Sequence, residues 1–482
     1  MSDFPDHWQL LPLEDVMEAI IDYRGKTPKK PDCGIPLITA KIVKGGRILE
    51  PAEFIAKEDY DSWMVRGFPE IGDVVVTSEA PLGEVAQLTD SNVALAQRIV
   101  TLRGKKCVLN NDFLLCAMQS SYVQHQLESR ASGSTVKGIK QSELRKILLP
   151  IPPEDEQIEI AHHIKTLSNK IELNRQTNQT LEHIAQAIFK SWFVDFEPTR
   201  AKIAAKQIGQ ERRAALRAAA DGRWPKAVAA AIAEGDPERA AMAAISGKSL
   251  DEIDQHSPEQ QEQLLTTAAL FPDALVDSEL GEIPEGWGIA ELGELLEFNP
   301  KRTLKKGVMA PYLDMKNVPT QGHLAGDVYA REMASGTKFV NGDTLLARIT
   351  PCLENGKTAY VDFLEEDQVA WGSTEYIVMR PKNGRPMSLG YLIARLDSFR
   401  SKAIQTMTGT SGRQRANAKA LSEQEWINYP LELLDTFDRI AGSYLAKAKA
   451  NGDENKMLSE LRDTLLPQLL SGDLPVGNKG IA

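Results

Sequence analysis

At 482 residues the chain is too long for one core and calls for two or three domains, and 42% hydrophobic with 26% charged residues is the balance of an ordinary globular protein. Its formal charge of −11 argues against nucleic acid only as an average, because phosphate binding depends on local Lys/Arg density. No uninterrupted apolar run approaches the ~18 residues of a membrane span, and Met1-Ser2-Asp3-Phe4-Pro5-Asp6 lacks the basic start and apolar core of a signal peptide. A cytoplasmic protein with no membrane partner is expected. Cys33, Cys107, Cys116 and Cys352 form no Cys-x-x-Cys pair and have no histidine at ligand spacing, so neither zinc nor a disulfide framework is signalled.

The chain opens with Pro5-Asp6-His7-Trp8 and a helix-like stretch from Leu13 to Ile20, then turns basic at Arg24, Lys26, Lys29 and Lys30. Strand-like runs follow at Ile71 to Thr77, beside Ser78, and at Ile99 to Leu102, before a helix from Asp112 to Ser129. A small-residue turn, Gly133-Ser134-Thr135, leads through Lys137 and Lys140 to a strand at Ile147 to Ile151. After Pro152-Pro153 the period becomes seven. Ile160, Ile164, Leu167, Ile171, Asn174, Asn178, Leu181, Ala185, Ile188 and Trp192 alternate spacings of four and three, the pattern of a coiled-coil seam. About 38 residues at ~1.5 Å each predict a rod of nearly 60 Å. Asn174 and Asn178 either fix its register at a cost in stability or sit where the seam rotates and they meet water.

Residues 197–283 are alanine-rich and split in charge. Arg200 to Lys226 holds eight basic and two acidic residues, net +6, and Ala227 to Leu280 holds eleven acidic and two basic, net −9. This segment reads as a helical linker or accessory structure rather than a third core.

The opening then repeats. Pro284-Glu285-Gly286-Trp287 lies 279 positions after Pro5, followed by a helix-like Leu292 to Phe298 and a basic cluster, Lys301, Arg302, Lys305 and Lys306. Gly342-Asp343 stands before a strand from Thr344 to Ile349, which includes Arg348, as Gly72-Asp73 stands before Val74, an offset of 270. Lys357, a strand at Tyr376 to Met379 and a helix from Ser388 to Met407 come next. Gly409-Thr410-Ser411 matches Gly133-Ser134-Thr135 at 276 and is followed by Arg413, Gln414, Arg415, Asn417 and Lys419. Tyr429-Pro430-Leu431 matches Leu149-Pro150-Ile151 at 280. A second rod, Asp435 to Leu470, keeps the seam at Ile440, Tyr444, Leu458, Leu461 and Leu465 but is polar at Lys447, Asn451 and Glu454. Offsets that wander while the order holds are the mark of a duplicated domain with loop insertions. The predicted organisation is α+β: similar mixed domains at 1–153 and 284–433, long helices at 154–196 and 434–474 that pack against each other, and the linker at 197–283.

Stretches that mimic catalytic motifs fail on inspection. Gly356-Lys357-Thr358 has Pro351 where a phosphate loop needs its first glycine, and Gly25-Lys26-Thr27 and Gly247-Lys248-Ser249 also lack it. His162 and His163 are adjacent on a helix and point apart, and Glu454-Asn455-Lys456 has no acidic partner for a nuclease. What remains is a DNA-binding inventory at equivalent places: the two four-charge clusters; Ser78, Ser134, Thr135, Lys137 and Lys140; and Arg348, Lys357, Thr410, Ser411, Arg413, Gln414, Arg415, Asn417 and Lys419. Lys and Arg neutralise phosphates, Arg can read guanine, and Asn or Gln can read adenine.

Over nearly its whole length the chain resembles the specificity subunit of type I restriction-modification systems. The resemblance rests on the Pro-x-x-Trp starts and on Leu149-Pro150-Ile151-Pro152-Pro153 leading through Glu156-Gln157. It rests also on Phe189-Lys190-Ser191-Trp192-Phe193-Val194-Asp195-Phe196, on Phe271-Pro272-Asp273 through Pro284, and on Leu465-Leu466-Pro467-Gln468-Leu469-Leu470-Ser471-Gly472. It implies a non-catalytic subunit with two target-recognition domains, each reading half of a split double-stranded DNA sequence, held apart by two antiparallel helices. It implies docking of two modification subunits, which bring S-adenosylmethionine and methylate adenine, and of restriction subunits, which bring ATP-driven translocation, Mg and cleavage; this chain would carry no cofactor or metal. A fused enzyme is disfavoured by the absence of an Asn-Pro-Pro-Tyr motif and of a glycine-rich cofactor loop. A structural adaptor that recruits proteins through its rods is the other reading.

Overall fold

The computed structural model describes residues 4–23, 28–133, 135–210, 224–410 and 412–476. Contacts divide the chain into two compact units, one formed by residues up to 173 together with those from 454 onward, the other by 174–453. Each contains one recognition domain and portions of both long helices, Glu154–Phe193 and Leu431–Ser471.

In the first unit a four-stranded antiparallel sheet runs in the order Met17–Asp22, Ile99–Gly104, Val74–Ser78, Leu82–Gln87. A second, smaller sheet contains one parallel pair, Leu37 with Ala94 and Ile38 with Leu95. Gln9–Pro12 pairs with Leu148–Ile151. The second unit repeats this layout: Leu296–Phe298, Tyr376–Pro381, Thr344–Ala347, Thr358–Tyr360, with a parallel pair at Tyr312 and Trp371 and an outer pair Gly288–Glu291 with Glu425–Asn428.

The Gly-Asp landmark of each repeat has a structural cause. Asp73 and Asp343 are fully buried, and each accepts from the backbone three residues earlier, Glu70 N at 2.8 Å and Val340 N at 2.9 Å. Arg103 and Arg380, equivalent positions on neighbouring strands, compensate the charge: Arg103 donates through Nε and Nη2 at 2.7 and 2.8 Å, Arg380 through Nη1 at 2.8 Å. A buried carboxylate persists only when paired in this way.

Several elements differ from the sequence reading. Leu13 to Ile20 and Leu292 to Phe298 are one helical turn each, Leu13–Val16 and Leu292–Leu295, followed by a strand, because the second half of each completes the sheet. Each long predicted helix breaks at an extended residue, Ser120 (ψ 148°) and Leu396 (ψ 134°). Ser120 then caps the following helix by accepting from Val123 N. The alanine-rich segment is more than a linker. Ala201, Ala205, Ala231, Ile232, Leu250, Ile253 and Ala268 bury one another in a core of their own, and Leu275–Ser278 pairs with Gly281–Pro284 as a hairpin. Alanine lets helices approach closely, so a small core forms around a few larger side chains such as Ile232, Leu250 and Ile253.

The long helices run antiparallel within each unit. In the first, Ile160 and Ile164 share a core with Leu466, Leu469 and Leu470, and Asn455 Nδ2 donates to Ile171 O at 3.3 Å. In the second, Phe189 stacks edge-on against Phe437, 5.5 Å between ring centres. Asn178 Nδ2 donates to Ala448 O at 2.9 Å, and Asn451 Nδ2 to Asn178 Oδ1 at 2.8 Å. The seam therefore keeps its amides: Asn174 is buried and Asn178 half-buried and bonded.

The heptad reading holds at Ala185 and Trp192 of the first helix but is displaced at other positions of both helices. Ile164 and Ile171 are buried and Leu167 half-buried, but further on Glu182 and Phe189 turn inward while Leu181 and Ile188 are only half-buried. On the second helix Ile440, Tyr444, Leu458 and Leu465 are half-buried, Ala441, Leu445 and Leu466 are buried, and Leu461 is 47% exposed. A straight helix slips about 20° per heptad against a period of seven, so a strict heptad does not face inward along the whole of a helix this long. Leu461 is thus no seam residue.

Candidate nucleic-acid interface

Each recognition domain carries the same three-strand backbone frame at one end of its main sheet. In the first, Ser78 N donates to Arg98 O and Ile139 N to Ser78 O, both at 2.9 Å. In the second, Arg348 N donates to Glu375 O at 2.9 Å and Ala416 N to Arg348 O at 2.8 Å. The strands leave the frame through cis peptides at equivalent places, Ala80-Pro81 and Thr350-Pro351. The polar-basic loops fold back onto it: Ser132 and Gly138 exchange backbone bonds at 2.8 and 3.0 Å, Thr408 and Arg415 at 3.1 and 2.9 Å. Gly133 (φ 112°) and Gly409 (φ 130°) close these loops, where a Cβ would meet Val136 O at 2.2 Å and Arg413 O at 2.8 Å.

The frame is constant and its side chains are not. Gly138 corresponds to Arg415, Lys140 to Asn417, Ser78 to Arg348 and Arg98 to Glu375. In the first domain Ser78, Glu79, Arg98, Ser132, Gly138 and Lys140 line a surface cleft of about 340 Å³. Thr135, Lys137 and Lys140 are exposed. In the second, Thr410 and Arg413 are exposed, Gln414 is fixed by backbone bonds with Thr350, and Arg348 Nε is buried with no hydrogen-bond partner. Arg24, Lys26, Ser134 and Ser411 lie outside the described residues.

Other predicted contacts are committed elsewhere. Arg302 donates through Nη2 to buried Asp343 at 3.1 Å, at the opposite end of Thr344–Ala347 from Arg348, and serves the buried carboxylate rather than the frame. Lys357 Nζ donates to Met315 O at 2.7 Å, and Lys30 pairs with Glu53 at 2.7 Å. Asn417 Oδ1 caps the helix Ala418–Ser422 by accepting from Lys419 N and Ala420 N, so its carbonyl is spent on the fold. Lys419 lies 3.5 Å from Glu423 one turn on. Lys29, Lys301, Lys305 and Lys306 are exposed.

The sequence reading missed three residues of the frame: Glu79, Arg98 and Glu375. Arg98 Nε lies 2.7 Å from Glu79 Oε1, and Arg415 donates to both oxygens of Glu375 at 2.8 to 3.0 Å. The Arg415 hydrogen bonds hold the Glu375 carboxyl below its usual range, against the upward push of burial. Alignment of the repeats would have exposed them, since 98 and 375 are one position with the charge reversed.

Among the described residues no group of His, Cys, Asp and Glu could hold a metal ion, and no helix is long and apolar enough to cross a membrane. A duplicated domain that offers different polar side chains from one rigid frame is the design of a two-part recognition protein. Residues 5–183 match the family model of the type I restriction modification DNA specificity domain. The chain is 28% identical over 406 residues to the type I restriction enzyme HindI specificity subunit of Haemophilus influenzae, covering 80% of this chain and 82% of that one. It is 29% identical over 203 residues to the MjaIX specificity subunit of Methanocaldococcus jannaschii, 41% of this chain and 46% of that one. A solved type I restriction-modification S subunit from M. genitalium aligns at 14% identity and a TM-score of 0.48 over 96% of each chain, and the fold described above stands without it. Residues 5–183 thus carry a type I restriction modification DNA specificity domain, and over most of its length the chain is similar to type I specificity subunits.

Proposed function

We propose that each recognition domain reads one half of a bipartite double-stranded DNA target, and that the chain thereby directs partner subunits of a type I complex to that sequence. The observation that carries this is the frame itself: one backbone scaffold, built twice, with nearly every outward side chain changed. Two identical readers would imply a symmetric site; these imply two different half-sites. Phosphate contacts come from the exposed lysines and Arg413, which position without specifying, and base discrimination comes from the frame residues. The chemistry belongs to the partners in this reading. Two modification subunits bring S-adenosylmethionine and methylate adenine, restriction subunits bring ATP- and Mg-dependent cleavage, and the chain acts with them in the cytoplasm.

The test is a genome-wide map of methylated adenines in cells that hold this chain with its partner subunits, repeated after residues 1–153 are exchanged for another recognition domain. The motif is expected to be split, and only one half should change. An unsplit motif, or a change in both halves, overturns the reading.

A further inference from the structure

The two ion pairs on the frame are built from opposite ends. In the first domain the arginine stands at the position before the strand Ile99–Gly104 and its carboxylate, Glu79, on the loop that leads to the cis proline. In the second the carboxylate, Glu375, holds that position before Tyr376–Pro381, and the arginine, Arg415, comes from the fold-back loop. Different strands thus deliver the same object to the same place: a guanidinium held by a carboxylate, on a frame otherwise stripped of shared chemistry. These pairs do little for stability. Arg98 and Glu79 are 56% and 43% exposed and Arg415 is 43% exposed, and ion pairs so open to solvent stabilise weakly.

In both pairs the carboxylate takes the Nε side of the guanidinium; Glu375 also takes the inner hydrogen of Nη2. The Nη1–Nη2 edge carries no carboxylate, Arg415 Nη1 making only a long 3.5 Å donation to Arg413 O, and that fork matches O6 and N7 of guanine in the major groove. A fixed fork loses less rotamer freedom on binding than a free arginine. We propose that Arg98 and Arg415 are the guanine-reading residues of the two half-sites, and that Glu79 and Glu375 are positioning residues that set the plane of each fork. The proposal rests on the reading of the chain as a DNA specificity subunit and names its readers.

The experiment uses the full chain assembled with its modification subunits. Methylation maps are compared for the natural chain and for Arg98→Lys, Arg415→Lys, Glu79→Gln and Glu375→Gln. Each arginine variant should relax one guanine position, in a different half-site, and each glutamine variant should relax the same position as its partner arginine, by about 5- to 150-fold against the other bases. The untouched half-site serves as the control for folding. In parallel, the natural complex is bound to duplexes with 7-deazaguanine, which lacks N7, at each guanine of the motif in turn. One guanine per half-site should be sensitive. Unchanged motifs in both lysine variants, or no sensitive guanine in either half-site, overturns the proposal. If the natural chain yields no split motif, the functional reading itself fails instead.

Discussion

The two recognition domains are fastened to the long helices by equivalent residues with opposite chemistry. In the first unit Gly45, Gly46, Gly83, Gln119, Gln124 and Arg462 surround an open cleft of about 340 Å³, and Arg462 turns aside to Asp463 at 2.7 and 2.8 Å. The counterpart of Arg462 in the second unit is Glu182, and that site is closed. Glu182 and His323 are both buried, with Nδ1 to Oε2 at 3.1 Å, and Asp362 lies 3.5 Å from His323 Nε2. Tyr391 donates to the same glutamate, as does Gln186 at 2.7 Å. Arg395, in the place of Gln119, donates to Tyr391 Oη and to the carbonyls of Thr320, Gly356 and Thr358 at 2.9 to 3.0 Å. One scaffold therefore supports either an open polar joint or a buried ionic one. Affinity for the helix is not what separates them, since a buried ion pair is poor evidence for stability; geometric definition is, because such a network is satisfied in one arrangement only.

The sharpest way to break this comparison is to empty each joint. His323→Leu leaves the Glu182 carboxylate buried without its cation and should destabilise the second unit by ~3–5 kcal/mol, whereas Arg462→Leu should change the first by ~0.5 kcal/mol or less. Denaturant-dependent hydrogen exchange at 391–395 and at 115–119 reads the two units separately. Equal losses would show that the joints do not differ.

A smaller effect is expected at the amide pair between the helices of the second unit. Asn451→Leu strips the Asn178 Oδ1 of its donor inside a half-buried seam and should cost ~1–3 kcal/mol, and adding Asn178→Leu should recover part of that loss, since two matched apolar residues leave nothing unsatisfied. A double variant less stable than the single, by thermal unfolding, would mean that the amides contribute more than satisfaction of each other.

Much of this architecture is legible in the sequence because duplication leaves its marks in backbone-bound residues. Gly72-Asp73 and Gly342-Asp343 recur because each aspartate is buried and holds an arginine, and Gly133 and Gly409 recur because a Cβ would strike a carbonyl. The readers are less legible for a matching reason. Arg415 is legible as one cation of a basic loop, but Arg98 has no basic counterpart at its equivalent, Glu375, so a search for recurring cations passes over it, and Glu79 and Glu375 carry the wrong sign for a search for phosphate contacts. His323 and Glu182 lie 141 residues apart, and only the fold brings them together. On the first long helix the predicted seam is buried at Ile160, Ile164, Ile171, Ala185 and Trp192 while Glu182 and Phe189 also turn inward, and on the second the buried Ala441, Leu445 and Leu466 stand one place after the predicted Ile440, Tyr444 and Leu465.

The mildest test of the comparison is pH. Burial pushes the His323 imidazole down, but the neighbouring carboxylates of Asp362, 3.5 Å from Nε2, and Glu182, hydrogen-bonded at Nδ1, outweigh it and raise the pKa to about 9. Burial likewise pushes Glu182 up, and the bonds from His323 and Tyr391 outweigh that and lower it. A histidine whose folded pKa is raised contributes stability that is full below its unfolded value near 6.5 and is lost as pH climbs through about 9. The glutamate contributes above its unfolded value near 4.5 and loses that contribution as pH falls through its lower folded value. The second unit should therefore be most stable between about pH 5 and 6.5 and weaken by on the order of 1 kcal/mol toward pH 8.5. The first joint offers the neutral amides of Gln119 and Gln124 in place of those groups, so over the same range protection from hydrogen exchange, corrected for the intrinsic rise of exchange with pH, should stay level at 115–119 while it falls at 391–395. A parallel fall of corrected protection in both units would show that the alkaline loss arises outside the His323 joint.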